Sequence, residues 1–334
     1  MKKLFVLSCV ALATLASCSK SEDIEAPQAQ KEIAFSVATD KSRAPIEGTS
    51  FGNDQKIYVS AYNSVSGKYF EGKEFATDAA GTTWKGGQYW PVNGVTSFLA
   101  YAATANVTAD WGDKYADKVE FDVANGFYKQ ESTTTTPYID LLYASGEQAK
   151  EKDYATVSMT FKHTGAWVVF NVKLGADLTG AKVTLNSFQL ANLFKGGKLV
   201  VDNTTYAGAK ASWDFEGVRA ADYDVQSFTT KTQLKADTKD QQGNVTAKGD
   251  YTFGAIIPEQ NQTAIKFNYT LTSTATTAAA FEPQTATYEY PLSRFDKWEM
   301  GKKYVYNITI TFNEIEIKPS VTDWGDPTNT AIGI

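Results

Sequence analysis

The reactive side chains of this chain are few, and they bound its chemistry tightly. Among 334 residues there is one histidine, His163, and there are two cysteines, Cys9 and Cys18. A single histidine excludes a His-rich metal site and a His/His acid–base pair within one chain. No serine stands in a G-x-S-x-G setting, and no second histidine exists to build a triad. His163 alternates with Val157, Met159 and Phe161, so the expectation is a hydrogen-bonded, half-buried strand residue rather than a catalytic base. Asp110-Trp111-Gly112-Asp113 recurs as Asp323-Trp324-Gly325-Asp326. Both read as Asp/Gly turns, because the spacing lacks the terminal Glu of a calcium loop. The carboxylate pairs Glu22/Asp23 and Asp237/Asp240 lie in polar stretches and are expected to be solvated. No enzyme, metal or cofactor is expected on these grounds. Trp84, Tyr89 and Trp90 could stack on sugar rings where exposed, but the more frequent role of such residues is to fill a sandwich core.

Both cysteines fall near the start, so the remainder can form no disulfide and no thiolate site. The formal net charge is -6, and loss of Lys2 and Lys3 with a leader takes it to about -8. An acidic chain without a basic stripe excludes nucleic acid as a partner. Residues 1–17 read as a secretory leader: Lys2 and Lys3 precede an apolar Leu4–Leu15 that is too short to span a bilayer. Leu15-Ala16-Ser17-Cys18 resembles a bacterial lipobox, which implies lipid on Cys18 and anchoring to the outer membrane. An ordinary leader with a coincidental cysteine is the alternative reading. Residues 18–31 form a polar tether, and Glu22-Asp23 resembles a surface-export signal of Bacteroidetes lipoproteins.

The elements that must position everything else are strands. Aromatic residues make up 13% of the chain, which is strand chemistry. Val157, Met159, Phe161 and His163 face one way; beyond Gly165 the apolar set moves to Ala166, Val168, Phe170 and Val172. One strand cannot change faces without a bend or a change of sheet, so a junction between two sheets is expected at Gly165. Ile33, Phe35 and Val37 alternate as a first strand, followed by the polar loop Thr39–Gly48. Further strands are predicted at 56–62, 96–101, 139–144, 183–190, 251–257, 265–271, 286–290 and 304–312. Gly196-Gly197 is predicted as a hairpin turn, and 203–250 as a largely polar, pattern-poor region with an exposed loop at 237–244. After Asn313-Glu314 the alternation resumes as Ile315, Ile317, Pro319 and Val321. No long amphipathic helix is visible. Two antiparallel β-sandwich domains are expected, 32–150 and 151–334.

Several blocks then resemble one family. They are Ser42-Arg43-Ala44, Trp84…Tyr89-Trp90-Pro91…Phe98-Leu99-Ala100-Tyr101, Asp140-Leu141-Leu142-Tyr143-Ala144, Phe161-Lys162-His163, Ile256-Ile257-Pro258-Glu259-Gln260 and Trp298…Gly301-Lys302-Lys303-Tyr304-Val305-Tyr306-Asn307. In this order, and with the lipobox, they resemble the fimbrillin-like family of Bacteroidales, subunits of type V pili. The resemblance implies two transthyretin-like domains and export as a lipoprotein. It implies cutting by an arginine-specific protease in the loop after the first strand, and assembly with other pilus subunits by donor-strand exchange. Arg43 and Ala44 map to the cut, and Ile315, Ile317 and Val321 to the donor strand. Pro45 two positions beyond the cut and Pro319 within the donor depart from an ideal pattern. Two functions are carried forward: a structural subunit (stalk, tip or anchor) supporting adhesion, or a surface lipoprotein binding a glycan or a host protein.

Overall fold

The computed structural model describes residues 31–39, 56–77, 82–103, 107–123, 140–149, 156–206, 208–218, 220–275, 280–292, 295–311 and 315–323. Every regular element among the described residues is a β-strand. The first half opens with β1 (Glu32–Thr39), β2 (Lys56–Asn63), β3 (Gly67–Thr77), β4 (Trp84–Tyr89) and β5 (Val95–Ala103). β6 (Asp110–Trp111) and β7 (Lys118–Val123) leave for another sheet, and β8 (Leu141–Ala149) and β9 (Val157–His163) return. The result is a closed ring in the order β1-β4-β3-β2-β5-β8-β9. Its interior is built by alternation: Ile33, Phe35, Ile57, Val59, Phe75, Phe98 and Phe161 are all wholly withdrawn from solvent.

The second half continues through β10 (Gly165–Leu174), β11 (Ala181–Leu193), β12 (Gly197–Asp202), β13 (Lys210–Asp214) and β14 (Ala221–Gln233). A small exposed hairpin follows, β15 (Thr238–Lys239) with β16 (Val245–Ala247). Then come β17 (Tyr251–Pro258), β18 (Gln260–Asn261), β19 (Ala264–Ser273), β20 (Gln284–Pro291), β21 (Lys297–Trp298), β22 (Lys302–Ile310) and β23 (Ile315–Asp323). Two four-stranded sheets, β17-β10-β22-β23 and β14-β11-β19-β20, enclose one core. Phe170 lies at its centre, with Phe188 at 4.6 Å and Tyr306 at 5.3 Å between ring centroids. A third sheet, β13-β12-β7-β6, covers the outer face of the ring, where Phe121 meets Tyr101 edge-on at 5.0 Å.

The face switch lies where the alternation placed it. β9 has a strictly alternating burial pattern and ends at His163; β10 starts at Gly165 in a different sheet. Thr164 makes the bend. Its N–H and its hydroxyl both donate to the Leu141 carbonyl, at 3.1 and 2.8 Å, and its own carbonyl accepts from the Trp213 indole at 2.8 Å. His163 is more buried than a half-buried strand residue. Its Nδ1 lies 2.8 Å from Asp140 Oδ1, and both side chains are only 1% exposed. Residues 140–141 and 163–164 are thus clamped together by side chain and backbone at once.

The chain is all-β, as the alternation predicts. Most neighbouring strands pair antiparallel, while β1 runs parallel to β9, with Phe35 opposite Val157, and β10 runs parallel to β22. Only short hairpin loops force antiparallel pairing, and these partners are far apart in sequence. The strands of the first half close into the ring. Pairing also crosses 150/151, since β9 completes the ring and β12 pairs with β7. A strand joins whichever sheet edge is open to it, regardless of position in the chain. Finally, Gly196-Gly197 is no hairpin turn, since β11 and β12 belong to different sheets. Gly197 is needed for close approach: a Cβ there would meet the Asp214 carbonyl at 2.6 Å and the Phe215 ring at 2.8 Å.

The 203–250 region holds β13, β14 and the exposed hairpin, whose turn is held by Asp240 Oδ1 accepting from Gln242 N at 2.9 Å and Asn244 N at 2.7 Å. Side chains spent on turns leave little apolar pattern to read.

Two buried polar contacts should dominate the stability of their surroundings. Tyr306 Oη accepts from Trp298 Nε1 and Gln262 Nε2, each at 2.9 Å, and burial holds its phenol well above the usual range. Tyr306→Phe strands both donors and is expected to cost about 1–3 kcal/mol in urea unfolding. His163→Phe removes the imidazole beside a carboxyl group with no solvent exposure, and the expected loss is about 3–5 kcal/mol by the same measurement. Unchanged midpoints would show that these pairs are dispensable.

Candidate assembly site

β1 and its seat form the first part of the site. The strand has a partner on each edge: its first half, Glu32 to Phe35, pairs antiparallel with β4, and its second half, Phe35 to Thr39, pairs parallel with β9. Its inward side chains have a shaped socket. The Phe35 ring meets Phe75 at 4.9 Å and Phe98 at 5.1 Å, both edge-on. The start of the strand is held at the surface, where Gly87 N donates to Glu32 Oε1 at 3.0 Å and Trp90 N to the Lys31 carbonyl at 3.0 Å. Burying Ile33 and Phe35 contributes roughly 1.5–3 kcal/mol each. The strand ends at Thr39, four residues before Arg43. Arg43, Ala44 and Cys18 lie outside the described residues.

β23 forms the second part. Among the described residues it is an edge strand, paired with β22 alone, in unbroken register from Lys302 opposite Asp323 to Ile310 opposite Ile315. Ile315, Ile317 and Val321 all lie on it, partly buried against the core of the second sandwich. Ile315 and Ile317 have the two-residue spacing of Ile33 and Phe35. Pro319 sits where a sheet tolerates it, on an edge. Lys318 is paired with Glu316 at 2.8 Å, and Lys302 with Asp323.

The two strands are therefore held differently. β1 must break two ladders to leave and β23 only one. The sequence showed both as amphipathic strands but carried no sign of this difference, because pattern reports faces and not edges. It also gave no sign that Asp140 is the partner of His163. The one available hint was a carboxylate placed directly before an apolar run.

Trp84 and Trp90 are 1% and 2% exposed, so neither can stack on a ligand; Tyr89, at 48%, is the exposed member of that block. In the Asp110–Asp113 segment Trp111 forms β6, and Tyr115 N donates to the Gly112 carbonyl at 2.8 Å, which is a turn. Its repeat at 323–326 falls, past Asp323, outside the described residues. Among the described residues no group of three or more His, Cys, Asp or Glu side chains could hold a metal ion.

No curated protein sequence matches the chain. Among solved structures, a fimbrial protein of Bacteroides vulgatus is 16% identical, with a TM-score of 0.51 over 87% of this chain and 99% of that one. A proposed cell adhesion protein of Bacteroides uniformis is 18% identical, with a TM-score of 0.49 over 88% and 98%. Another of Bacteroides ovatus is 17% identical, with a TM-score of 0.49 over 89% and 99%. At such identities the likeness speaks for the fold alone. The family is given by sequence: the fimbrillin-like model matches residues 42–324, most of the chain, and the chain belongs to the fimbrillin-like family.

Proposed function

We propose that this chain is a structural subunit of a type V pilus. It is exported to the cell surface as a lipoprotein on Cys18, and it is assembled with other pilus subunits by protease-triggered donor-strand exchange. Its role is mechanical and adhesive rather than catalytic, in keeping with its family.

The observation that carries the reading is the position of β1. It is an inserted strand, bonded on both sides, and it leads directly into the segment containing Arg43. While the chain is intact, β1 is tethered to its socket at an effective concentration of order millimolar, and a competitor strand from another copy is at a disadvantage. A cut after Arg43 removes the tether. β1 then becomes a separate ligand that can be diluted away. Its departure leaves β4 and β9 with unsatisfied backbone groups and exposes the pocket around Phe75 and Phe98, both costly states.

β23 of a neighbouring subunit supplies the spacing of apolar side chains the socket requires, and as an edge strand it has a single ladder to give up. Docking it restores a ladder by β-augmentation. Ile315, Ile317 and Val321 would contribute roughly 1.5–3 kcal/mol each. That is weighed against about 4–15 kcal/mol of lost freedom, so backbone pairing must make up the difference. Because each subunit donates at one place and accepts at another, the contact is heterologous and propagates. The alternative of a glycan-binding lipoprotein loses its main support with the burial of Trp84 and Trp90.

Trypsin-like treatment of the purified precursor is expected to release a fragment ending at Arg43 and to give ladders that survive mild detergent. Arg43→Ala is expected to stay monomeric under the same treatment. Deleting residues 315–334 should still permit cutting but give no ladder; ladders from that truncated chain would refute the donor assignment. Separately, Cys18→Ala is expected to abolish palmitate labelling and to remove the protein from the outer-membrane fraction. Normal labelling of that variant would refute lipidation at this residue.

A further inference from the structure

The sheet β14-β11-β19-β20 ends in a strand that is open to solvent. All residues of β20 from Gln284 to Glu289 are exposed on both faces, and among the described residues no strand lies beyond it. Two exposed large hydrophobic side chains belong to this edge, Tyr288 on the strand and Phe281 just before it, at 36% and 40% exposure. Open edges of this kind are normally blunted by lysine or by proline within the strand. β23, the edge of the facing sheet, carries Lys318 and Pro319. β20 reads Gln-Thr-Ala-Thr-Tyr-Glu-Tyr-Pro, with no lysine and no proline before its last residue.

The register shows which backbone groups face outward. Leu292 N donates to the Thr263 carbonyl at 2.8 Å, and β19 and β20 pair without a bulge from Ala264 opposite Pro291 to Leu271 opposite Gln284. Bonded and non-bonded pairs alternate along an antiparallel ladder. The even-numbered residues of β20 therefore bond to β19, and Thr285, Thr287 and Glu289 turn their N–H and C=O groups outward. The next outward-facing positions on either side are Pro283 and Pro291, which have no N–H to offer. Both prolines lie four positions from Thr287, so the free donor–acceptor array is symmetric about that residue.

We propose that β20 is a self-association edge: it pairs antiparallel with β20 of a second copy of this chain, about a two-fold axis at Thr287. In that register Thr287 faces the partner's Thr287 and Thr285 faces the partner's Glu289, which completes about six backbone hydrogen bonds. The one charge of the strand, Glu289, meets a threonine and not another carboxylate. On the core side Ala286 lies opposite the partner's Tyr288, a small residue against a large one, which covers the exposed ring. Slipping the register by two residues either way brings Pro283 or Pro291 to a bonded position and loses a donor. The outward threonines are already oriented: Thr287 Oγ1 accepts from Asn268 Nδ2 at 3.0 Å, and the Thr285 and Thr270 hydroxyls are 3.0 Å apart. This contact does not rest on strand exchange, since β20 belongs to a different sheet from β1 and from β23.

The test uses the uncut chain from Ser19 onward, which contains the whole compact unit Lys31–Ile334 and no native cysteine. Sedimentation equilibrium is expected to show a concentration-dependent monomer–dimer system. Thr287→Pro removes an N–H that points to solvent, so it should preserve the melting temperature and abolish the dimer; Thr287→Lys, which sets two like charges together on the axis, should do the same. Thr287→Cys should oxidise to a covalent dimer, because the paired Cα atoms would be about 5.5 Å apart. Thr246→Cys, on the exposed β16, should not. A parent chain that stays monomeric at the highest soluble concentration overturns the proposal. So does a folded Thr287→Pro or Thr287→Lys chain that dimerises like the parent.

Discussion

The backbone of β1 is the constraint on which the first half of the molecule depends. A strand in the interior of a sheet must find partners for its N–H and C=O groups on both sides, and β1 finds them on β4 and β9. Those two strands meet nowhere else in the ring, so one segment of eight residues closes it. The side chains repeat the same dependence. Phe75 and Phe98 pack on Phe35, and all three rings are wholly buried. Loss of β1 would therefore expose a polar ladder and an apolar socket together, and a replacement must satisfy both. Only an extended strand with apolar residues at alternate positions can do so. That requirement selects donors by pattern more than by detailed sequence.

β1 packs into one of the two large cores and not into that of the second sandwich. The cluster inside the ring and the cluster inside the second sandwich share no residue. What joins them is a third apolar cluster, in which Leu99 and Tyr101 of β5, Leu141 and Tyr143 of β8, Phe121 of β7 and Leu199 of β12 pack together with Ile256 of β17. Polar contacts add to it at Thr164, which donates to the Leu141 carbonyl and accepts from Trp213 of the third sheet. That third sheet takes β6 and β7 from the first half of the chain and β12 and β13 from the second. Paired side-chain and backbone contacts at consecutive residues resist both sliding and twisting. In the proposed exchange β1 would leave the ring at β4 and β9, whereas these contacts run through β5 and β8.

How much of this could be read from sequence depended on whether a feature was local. The strand at 157–163, the face switch after it and the strand at 304–310 were legible, because alternating polarity writes the two faces of a strand into neighbouring residues. Ring closure and the parallel pairings were not. They join residues such as Phe35 and Val157 that no local pattern connects. Gly196-Gly197 was misread because a turn and a close backbone approach call for the same residue. β20 was recognised as a strand, but its position at an open edge follows only from the order of strands in the sheet. As for the assembly site, the apolar spacing of the candidate donor was legible, whereas its place at the edge of a sheet was not.

Joining neighbours through strands, as proposed, also requires control over which edges are available. The closed ring presents no edge at all while β1 is in place. β23 offers an edge marked by Pro319 and Lys318, which discourage a further strand from adding there. At β20 the prolines have a different effect. Standing at either end of the outward array, Pro283 and Pro291 leave the centre free and set the length and register of anything that pairs. The symmetry of the contacts then separates their consequences. Strand exchange is heterologous, and each new subunit recreates the open site it filled. Pairing at β20 is isologous, so two copies saturate it and no further sheet can grow. An edge of the first kind lengthens a filament, while an edge of the second kind can join two subunits or two filaments without competing for the strand that builds them.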